Sequence, residues 1–334
     1  MKEKTFKIEQ AFLSQYAKKS IDTVGRLHPE TPCPMRTDFQ RDRDRIIHCK
    51  AFRRLKNKTQ VFFSPEGDHY RTRLTHTLTV SQVARGIARA LSLNEDLTEA
   101  IALGHDLGHT PFGPSGERIL NKLNPKGFHH NVQSGRVVDY LENDGKGLNL
   151  TREVVDGIVN HRLSCKPSTL EGQAVNIADR IAYINHDIDD ATIAGIMSED
   201  DIPLAIRHVL GMSKSARINT LVLSCINNSD DDIRLESGIQ QAFDELHTFM
   251  FAKVYTNPAC KSEEKKAVAL VQQLYYHFAK KVENLPPQFK EIAERDGIGV
   301  AACDFIAGMT DRYAVRVFDE LYIPKAWSEL SNIF

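Results

Sequence analysis

His76, the adjacent pair His105-Asp106, and Asp179 are the residues of this chain best suited to chemistry. Each falls in a stretch whose apolar spacing predicts a helix. A fold that brings these stretches together would gather two imidazoles and two carboxylates around one point. Eight of the 13 histidines lie between His69 and His186, namely His69, His76, His105, His109, His129, His130, His161 and His186. A lone histidine is more often a satisfied core or surface residue than a ligand. Asp106 and Asp179, however, stand in otherwise apolar segments, and buried Asp is rare unless paired or metal-bound. Two imidazoles with two carboxylates suit an octahedral divalent ion with open positions (Mn, Mg, Fe, Co or Ni) better than a closed zinc site, which favours thiolates. The same residues could instead form two buried ion pairs, Asp106 with a histidine and Asp179 with Arg180 or Arg73. Spacing alone leaves both readings open.

Arginines suited to phosphate stand beside the four. Arg73 precedes His76 by three residues, on one helix face, and Arg180 follows Asp179 directly. Their planar forks match phosphate oxygens. From Arg36 to Lys58 there are nine Lys or Arg against three Asp. That segment reads as a solvated helix laced with i,i+4 pairs or as a wall facing polyphosphate. Asp179, Tyr183 and Asp187 recur at i, i+4 and i+8 and share a helix face.

The elements that must position these residues are helical. Apolar periodicity predicts helices over Arg73–Leu91, from the N-cap Asn94 to near Gly108, and over Leu170–Met197. Further helices are predicted over Asn131–Glu142, Glu153–His161, Ile233–Thr256, Glu263–Val282 and Val300–Tyr322. Val61-Phe62-Phe63 is a short extended candidate before a turn at Pro65-Glu66-Gly67. Gly145-Lys146-Gly147 and Pro286-Pro287 read as loops. The chain is therefore all-α, with an N-terminal helical extension over 1–35, a core over 36–200 and a C-terminal helical part over 201–334 packed on the same domain. With 334 residues, 41% of them hydrophobic, it can bury a substantial core. A net charge of -1 gives no global field toward nucleic acid or membrane. No apolar run is long enough to span a bilayer. The six dispersed cysteines and the lack of a signal-peptide core point to reduced thiols and a cytoplasmic setting.

Several longer motifs carry a resemblance. Arg73-Leu74-Thr75-His76, Gly104-His105-Asp106-Leu107-Gly108-His109 and Ile177-Ala178-Asp179-Arg180 follow the H…HD…D pattern of the HD superfamily. Arg41 to His48, Phe52-Arg53-Arg54-Leu55, Ser64 to Arg73, Ala182 to Asp190, and Gly308-Met309-Thr310-Asp311-Arg312-Tyr313 resemble the bacterial deoxyguanosine triphosphate triphosphohydrolase family. The likeness runs from about residue 35 to about residue 320. It implies an HD-domain helical fold with additional C-terminal helices, and one divalent ion held by His76, His105, Asp106 and Asp179. The activity implied is hydrolysis of dGTP, or of dNTPs more broadly, at the α-phosphate to deoxynucleoside and inorganic triphosphate. Arg73 and Arg180, with Arg54 and Lys58, would hold phosphate. Tyr183 and Asp187 would meet the deoxyribose, and Gln60 the sugar or the base. Such proteins assemble into homo-oligomers and respond to a second dNTP as activator.

The chain departs from the family at one place. His105 to Glu117 reads HDLGHTPFGPSGE, and Pro114 stands where the family carries a histidine suspected as the proton donor. That leaves Glu117 without its natural partner, and the acid role would fall to His109 or His130, or to a metal-bound water. A slower enzyme is then expected, with turnover raised by Pro114→His. Two rival functions follow: an HD phosphohydrolase acting on another nucleotide, or a nucleotide-sensing or single-stranded nucleic-acid-binding protein with a vestigial site.

Overall fold

Helices form where capping side chains and apolar stripes coincide. The computed structural model describes residues 2–60 and 71–325, the side chains of 258–262 excepted. The expected extended piece at Val61-Phe62-Phe63, its turn, and His69 lie outside the described residues. In chain order the helices are α1 (Lys2–Phe12), α2 (Asp38–His48), α3 (Lys50–Arg54), α4 (Arg73–Ala90), α5 (Glu95–Gly104), α6 (Gly113–Leu123), α7 (His130–Arg136), α8 (Arg152–Val159), α9 (Leu170–Ile193), α10 (Leu204–Leu210), α11 (Lys214–Asn228), α12 (Ser237–Met250), α13 (Pro258–Lys280), α14 (Pro287–Asp296), α15 (Ile298–Ala307) and α16 (Asp311–Tyr322). Short π-helical turns, Val137–Leu141 and Phe251–Tyr255, extend α7 and α12. Among the described residues extended pairing is limited to isolated bridges, Arg26 with Thr151 and Thr59 with Thr72. The all-α expectation holds.

Two apolar cores organise the helices. The larger is built on α2, α4, α5, α8, α9 and α12 and includes Phe39, Val80, Ile87, Ile101, Ile158, Ile181 and Phe243, all buried. The smaller joins α6 to α13, α14, α15 and α16 through Leu120, Val271, Leu274, Phe289 and Ile306. Close approach of α5 to α8 depends on two glycines. A Cβ at Gly104 would lie 2.4 Å from Ile158, and one at Gly157 would lie 2.5 Å from Ile101. Asn94 caps α5 as expected, its side chain accepting from the N–H groups of Asp96 and Leu97.

Three predicted boundaries are corrected. The helix from Asn94 ends at Gly104, not near Gly108, so His105 and Asp106 stand in the turn beyond it. There Ser134 Oγ donates to the His105 carbonyl at 2.7 Å and accepts from the Gly108 N–H at 2.9 Å, which diverts backbone groups a further helical turn would use. The segment from Val300 to Tyr322 is two helices, parted at Gly308-Met309-Thr310, with Thr310 capping the second. The helix expected from Ile233 begins at Ser237, where Glu236 accepts from the Ile239 N–H. Among the described residues, Cys33, Cys49, Cys165, Cys225 and Cys303 are free thiols. Among the described residues no helix is long and apolar enough to cross a membrane.

Candidate functional site

Packing of α4 against α5 and α9 brings the four residues of interest together. His76 projects from the first turn of α4, His105 and Asp106 from the turn after α5, and Asp179 from α9. Ligand atoms of His76, His105 and Asp106 lie within 4.8 Å of one another. Asp179 Oδ1 is 3.0 Å from His76 Nε2 and 3.8 Å from His105 Nε2. Asp106 Oδ1 is 3.4 Å from His105 Nε2. His76, His105 and Asp106 are buried, whereas the Asp179 side chain keeps 23% of its surface exposed and forms the open side of the cluster.

The tautomer of His105 suits a ligand. Its Nδ1 lies 2.7 Å from the Ala102 carbonyl, which can only accept, so Nδ1 carries the proton and Nε2 presents its lone pair. That buried Nε2 has no hydrogen-bond partner among the described residues. Burial pushes the Asp106 carboxyl up, but His105, His109 and Arg73 outweigh it and hold it well below the usual range. Asp179 is likewise opposed by burial, and held down to about 2 by the His76 hydrogen bond and by His105. Two ionised carboxylates and a buried imidazole nitrogen with no partner among the described residues fit a divalent cation.

The ion-pair alternative is realised in other pairings. Asp106 accepts from Arg73 at 2.7 Å, and Asp179 meets His76, not an arginine. The Arg73 fork also donates to the carbonyls of Thr59 and Gln60. Arg73 therefore braces a cluster carboxylate and leaves Nε without a partner among the described residues.

A second histidine group adjoins the first. His130, at the start of α7, has Nδ1 2.7 Å from Glu117 Oε2 on α6 and Nε2 3.1 Å from His161 Nε2. His161 Nδ1 must donate to the Ile158 carbonyl at 2.7 Å, and burial with the nearby His105 and His130 pushes His161 down to about 3. Burial raises the Glu117 carboxyl, but the His130 hydrogen bond outweighs it and brings Glu117 to about 2. Matching donors to acceptors then puts a proton on both His130 nitrogens. Glu117, whose natural partner is replaced by Pro114, has His130 as its partner instead. Pro114 is exposed at the start of α6. His109 stacks on His130 with ring centroids 3.9 Å apart and 16° between planes, and its Nε2 is 3.3 Å from Asp106 Oδ1. Burial, then Arg73 and His130, hold His109 well below its usual range. Asp106, His109 and His130 also come within ligand distance of one another. They make a poor second metal site, because stacked rings aim their lone pairs in parallel and both His130 nitrogens are engaged.

The remaining predicted residues occupy two sides of the cluster. On α9, Tyr183 packs edge-on to His247, and Asp187 accepts from the Tyr255 hydroxyl. Burial, with Asp190 and Asp179, pushes Asp187 up to about 8 despite that bond, and its Oδ1 has no partner among the described residues. Burial also raises the Tyr183 phenol. Gln60 is buried with Oε1 unpartnered among the described residues. Three cations are engaged with protein. Lys58 Nζ donates to the carbonyls of His109 and Ala307. Its burial, with Arg54 and Arg73 nearby, lowers it to about 7. Arg180 pairs with Asp244 and lies over the Phe243 ring, 4.4 Å from its centroid. Arg54 reaches Glu142 at 3.4 Å. In α2, Arg41, Arg43 and Arg45 meet Glu30, Asp96 and Glu99, the arrangement of an ion-paired helix. Tyr255, His161 and His186 (Nδ1 3.4 Å from His76 Nδ1) were not singled out by spacing. Their partners lie 31 to 110 residues away in the chain.

Comparison with known proteins agrees with this arrangement. Residues 73–184 match the HD domain family, and residues 233–320 match the phosphohydrolase-associated domain. A deoxyguanosinetriphosphate triphosphohydrolase-like protein of Caldanaerobacter subterraneus subsp. tengcongensis is 56% identical over 336 residues, covering 100% of this chain and 99% of the relative. One of the same name from Clostridium perfringens strain 13 is 50% identical over 328 residues, 95% of this chain and 96% of the relative. A solved phosphohydrolase from Bacteroides thetaiotaomicron shares the fold at 17% identity and a TM-score of 0.54, over 86% of this chain and 70% of that one. Long, near end-to-end identity, joined to the histidine–aspartate cluster, places the chain in the deoxyguanosinetriphosphate triphosphohydrolase-like family of HD-domain phosphohydrolases.

Proposed function

We propose that this protein hydrolyses deoxynucleoside triphosphates to deoxynucleoside and inorganic triphosphate, at one divalent ion held by His76, His105, Asp106 and Asp179. The observation that carries the reading is the convergence of these four side chains, with a buried imidazole nitrogen that has no hydrogen-bond partner among the described residues. When bound, the ion supplies Lewis-acid chemistry: it activates water and neutralises charge at the α-phosphate.

The side chains do the rest. Arg73 orients Asp106 through a 2.7 Å hydrogen bond. His109 borders the cluster as a neutral imidazole and steers the α-phosphate. The departing 5′-oxygen takes its proton from His130, whose Nε2–H turns from His161 to the substrate while Glu117 holds Nδ1. General acid assistance of this kind contributes about 10²–10⁴-fold. Arg180 holds the phosphate tail after exchanging Asp244 for it, with Arg54 beside it. Lys58 acts through the backbone it holds. At the sugar end, Asp187 Oδ1 accepts from the 3′-hydroxyl while Tyr255 fixes the carboxyl. The Tyr183 ring occupies the space a 2′-hydroxyl would need and so disfavours ribonucleotides.

Incubation with each dNTP and Mn or Mg, followed by chromatography, tests the proposal. Deoxynucleoside and intact triphosphate in equal amounts are expected. Monophosphate with pyrophosphate, or nucleotide bound without turnover, would refute it.

A further inference from the structure

The motif Gly308-Met309-Thr310-Asp311-Arg312-Tyr313 carries no part of the chemistry above, yet Asp311 reaches two arms of the site at once. Its Oδ2 accepts from the Thr59 N–H at 2.9 Å and from the Thr59 hydroxyl. Its Oδ1 accepts from the Phe112 N–H at 2.9 Å.

Each arm ends on a residue of the candidate centre. Thr59 and Gln60 offer their carbonyls to Arg73, and Arg73 holds Asp106. Phe112 belongs to the turn that begins at His109. That turn is conformationally costly, because Phe112 has φ +61° and Gly113 φ +53°, two consecutive left-handed residues, one of them bulky. Backbone of this kind persists where the surroundings over-determine it, and it clusters at functional sites. Here the surroundings are visible. Asp311 takes the Phe112 N–H, Thr110 Oγ1 donates to the Gly113 carbonyl at 2.9 Å, and Lys58 holds the His109 carbonyl to that of Ala307. The turn lies directly against the Thr59 arm, since a Cβ at Gly113 would come within 2.7 Å of the Gln60 carbonyl. Asp311 is the first residue of α16, so the phosphohydrolase-associated segment fastens both arms from outside the HD domain.

We propose that Asp311 is a positioning residue for the hydrolysis. It sets the place of the His109 imidazole and of the Arg73–Asp106 pair by clamping Thr59 to the Phe112 turn, and touches no reacting atom. The catalytic part of this inference rests on the function proposed above.

The test compares Asp311→Ala, Asp311→Asn and Thr310→Ala in the full chain. Thr310→Ala removes the cap of the same helix, where Thr310 Oγ1 accepts from the Tyr313 N–H, and leaves the Asp311 contacts in place. Misplacement of groups by about 1 Å costs on the order of 10²-fold in rate. Asp311→Ala is therefore expected to lower kcat per folded molecule about 10- to 100-fold, with KM and the Mn(II) dissociation constant each within about threefold. Asp311→Asn keeps an acceptor oxygen and should recover part of the loss. Thr310→Ala should lower Tm and keep kcat within about twofold. In chains labelled at histidine, the imidazole NMR signals of His109, assigned with His109→Gln, should move in Asp311→Ala and stay in Thr310→Ala. Unmoved His109 signals, or an equal fall of kcat in Thr310→Ala, would overturn the positioning role. If the wild type releases no triphosphate from any dNTP, the functional reading falls, and the His109 signals still decide whether Asp311 positions that side chain.

Discussion

Two sets of buried or half-buried carboxylates share this fold and behave in opposite ways. Asp106, Asp179 and Glu117 are desolvated yet held far down, because histidines or Arg73 surround them. Asp187 and Glu171 are desolvated, form no ion pair among the described residues, and rise to about 8 and about 7. Glu171 accepts from the backbone N–H groups of Lys18 and Asn94, at 2.9 and 3.0 Å. Burial alone therefore does not mark a ligand. The first set can hold a cation at neutral pH because it is ionised. In the second, Asp187 is mostly protonated there and Glu171 titrates there, and the two bind a hydroxyl or anchor backbone.

The largest effect should come from neutralising the first set. Asp106→Asn removes a carboxylate from the cation cradle and leaves Arg73 buried without its counter-ion. Turnover should fall by 10³-fold or more, about 4 kcal/mol in the barrier. Loss of half of a buried pair should also lower the stability of the metal-free protein by about 3–5 kcal/mol. Calorimetry should show Mn(II) binding lost, and saturating Mn(II) should raise Tm in the wild type alone. Mn(II) affinity equal to wild type would break the comparison at its base.

His130→Ala comes next. It strips Glu117 of the cation that keeps it ionised, and removes the proposed proton donor. A 10²–10⁴-fold fall in kcat is expected, with Mn(II) affinity nearly unchanged. Pro114→His sharpens the result. Glu117 already holds His130 and position 114 is exposed, so a histidine there should raise turnover only a few-fold. A rise of 10² would move the acid to position 114.

Asp187→Asn should be mild by contrast, since an amide replaces a carboxyl that is already mostly neutral at pH 7. Stability should change by less than about 1 kcal/mol, while KM for a dNTP rises about tenfold, because the amide oxygen keeps the Tyr255 contact and an NH2 donor then stands where Oδ1 accepts from the 3′-hydroxyl. A stability loss matching that of Asp106→Asn would place Asp187 in the ionised set.

Local signals in the sequence located most of this. The Asn94 cap and the apolar stripes of α4, α5 and α9 announce themselves within one or two turns, while the four cluster residues needed the longer motifs, since spacing left them open to ion pairing. Tertiary contacts hid the rest. The end of α5 at Gly104 depends on Ser134, 29 residues past His105. The pairing of Arg180 with Asp244 spans 64 residues, and that of Asp187 with Tyr255 spans 68. The break between α15 and α16 had a local signal, since Gly308 and the Thr310-Asp311 cap stand in the sequence. Apolar periodicity on both sides masked it.

Glu171→Gln offers the smallest and most selective test of the second set. Burial raises the Glu171 carboxyl from 4.5 to about 7 in the folded chain. Between those values the unfolded chain has released the proton and the folded chain keeps it. The folded state then binds more protons, so stability is greatest below about pH 4.5 and falls as pH rises toward 7. The expected loss over this window is on the order of 3 kcal/mol. Lys58, lowered to about 7, acts with the opposite sign only above that value, so denaturation should be followed from pH 4.5 to 7. The difference between wild type and Glu171→Gln cancels other carboxyls raised in the same direction, Asp187 among them. Gln still accepts from Lys18 and Asn94 and cannot ionise, so the variant should lose this share of the slope. An unchanged slope would mean that Glu171 is ionised in the folded protein, and the two sets of carboxylates would no longer be distinct.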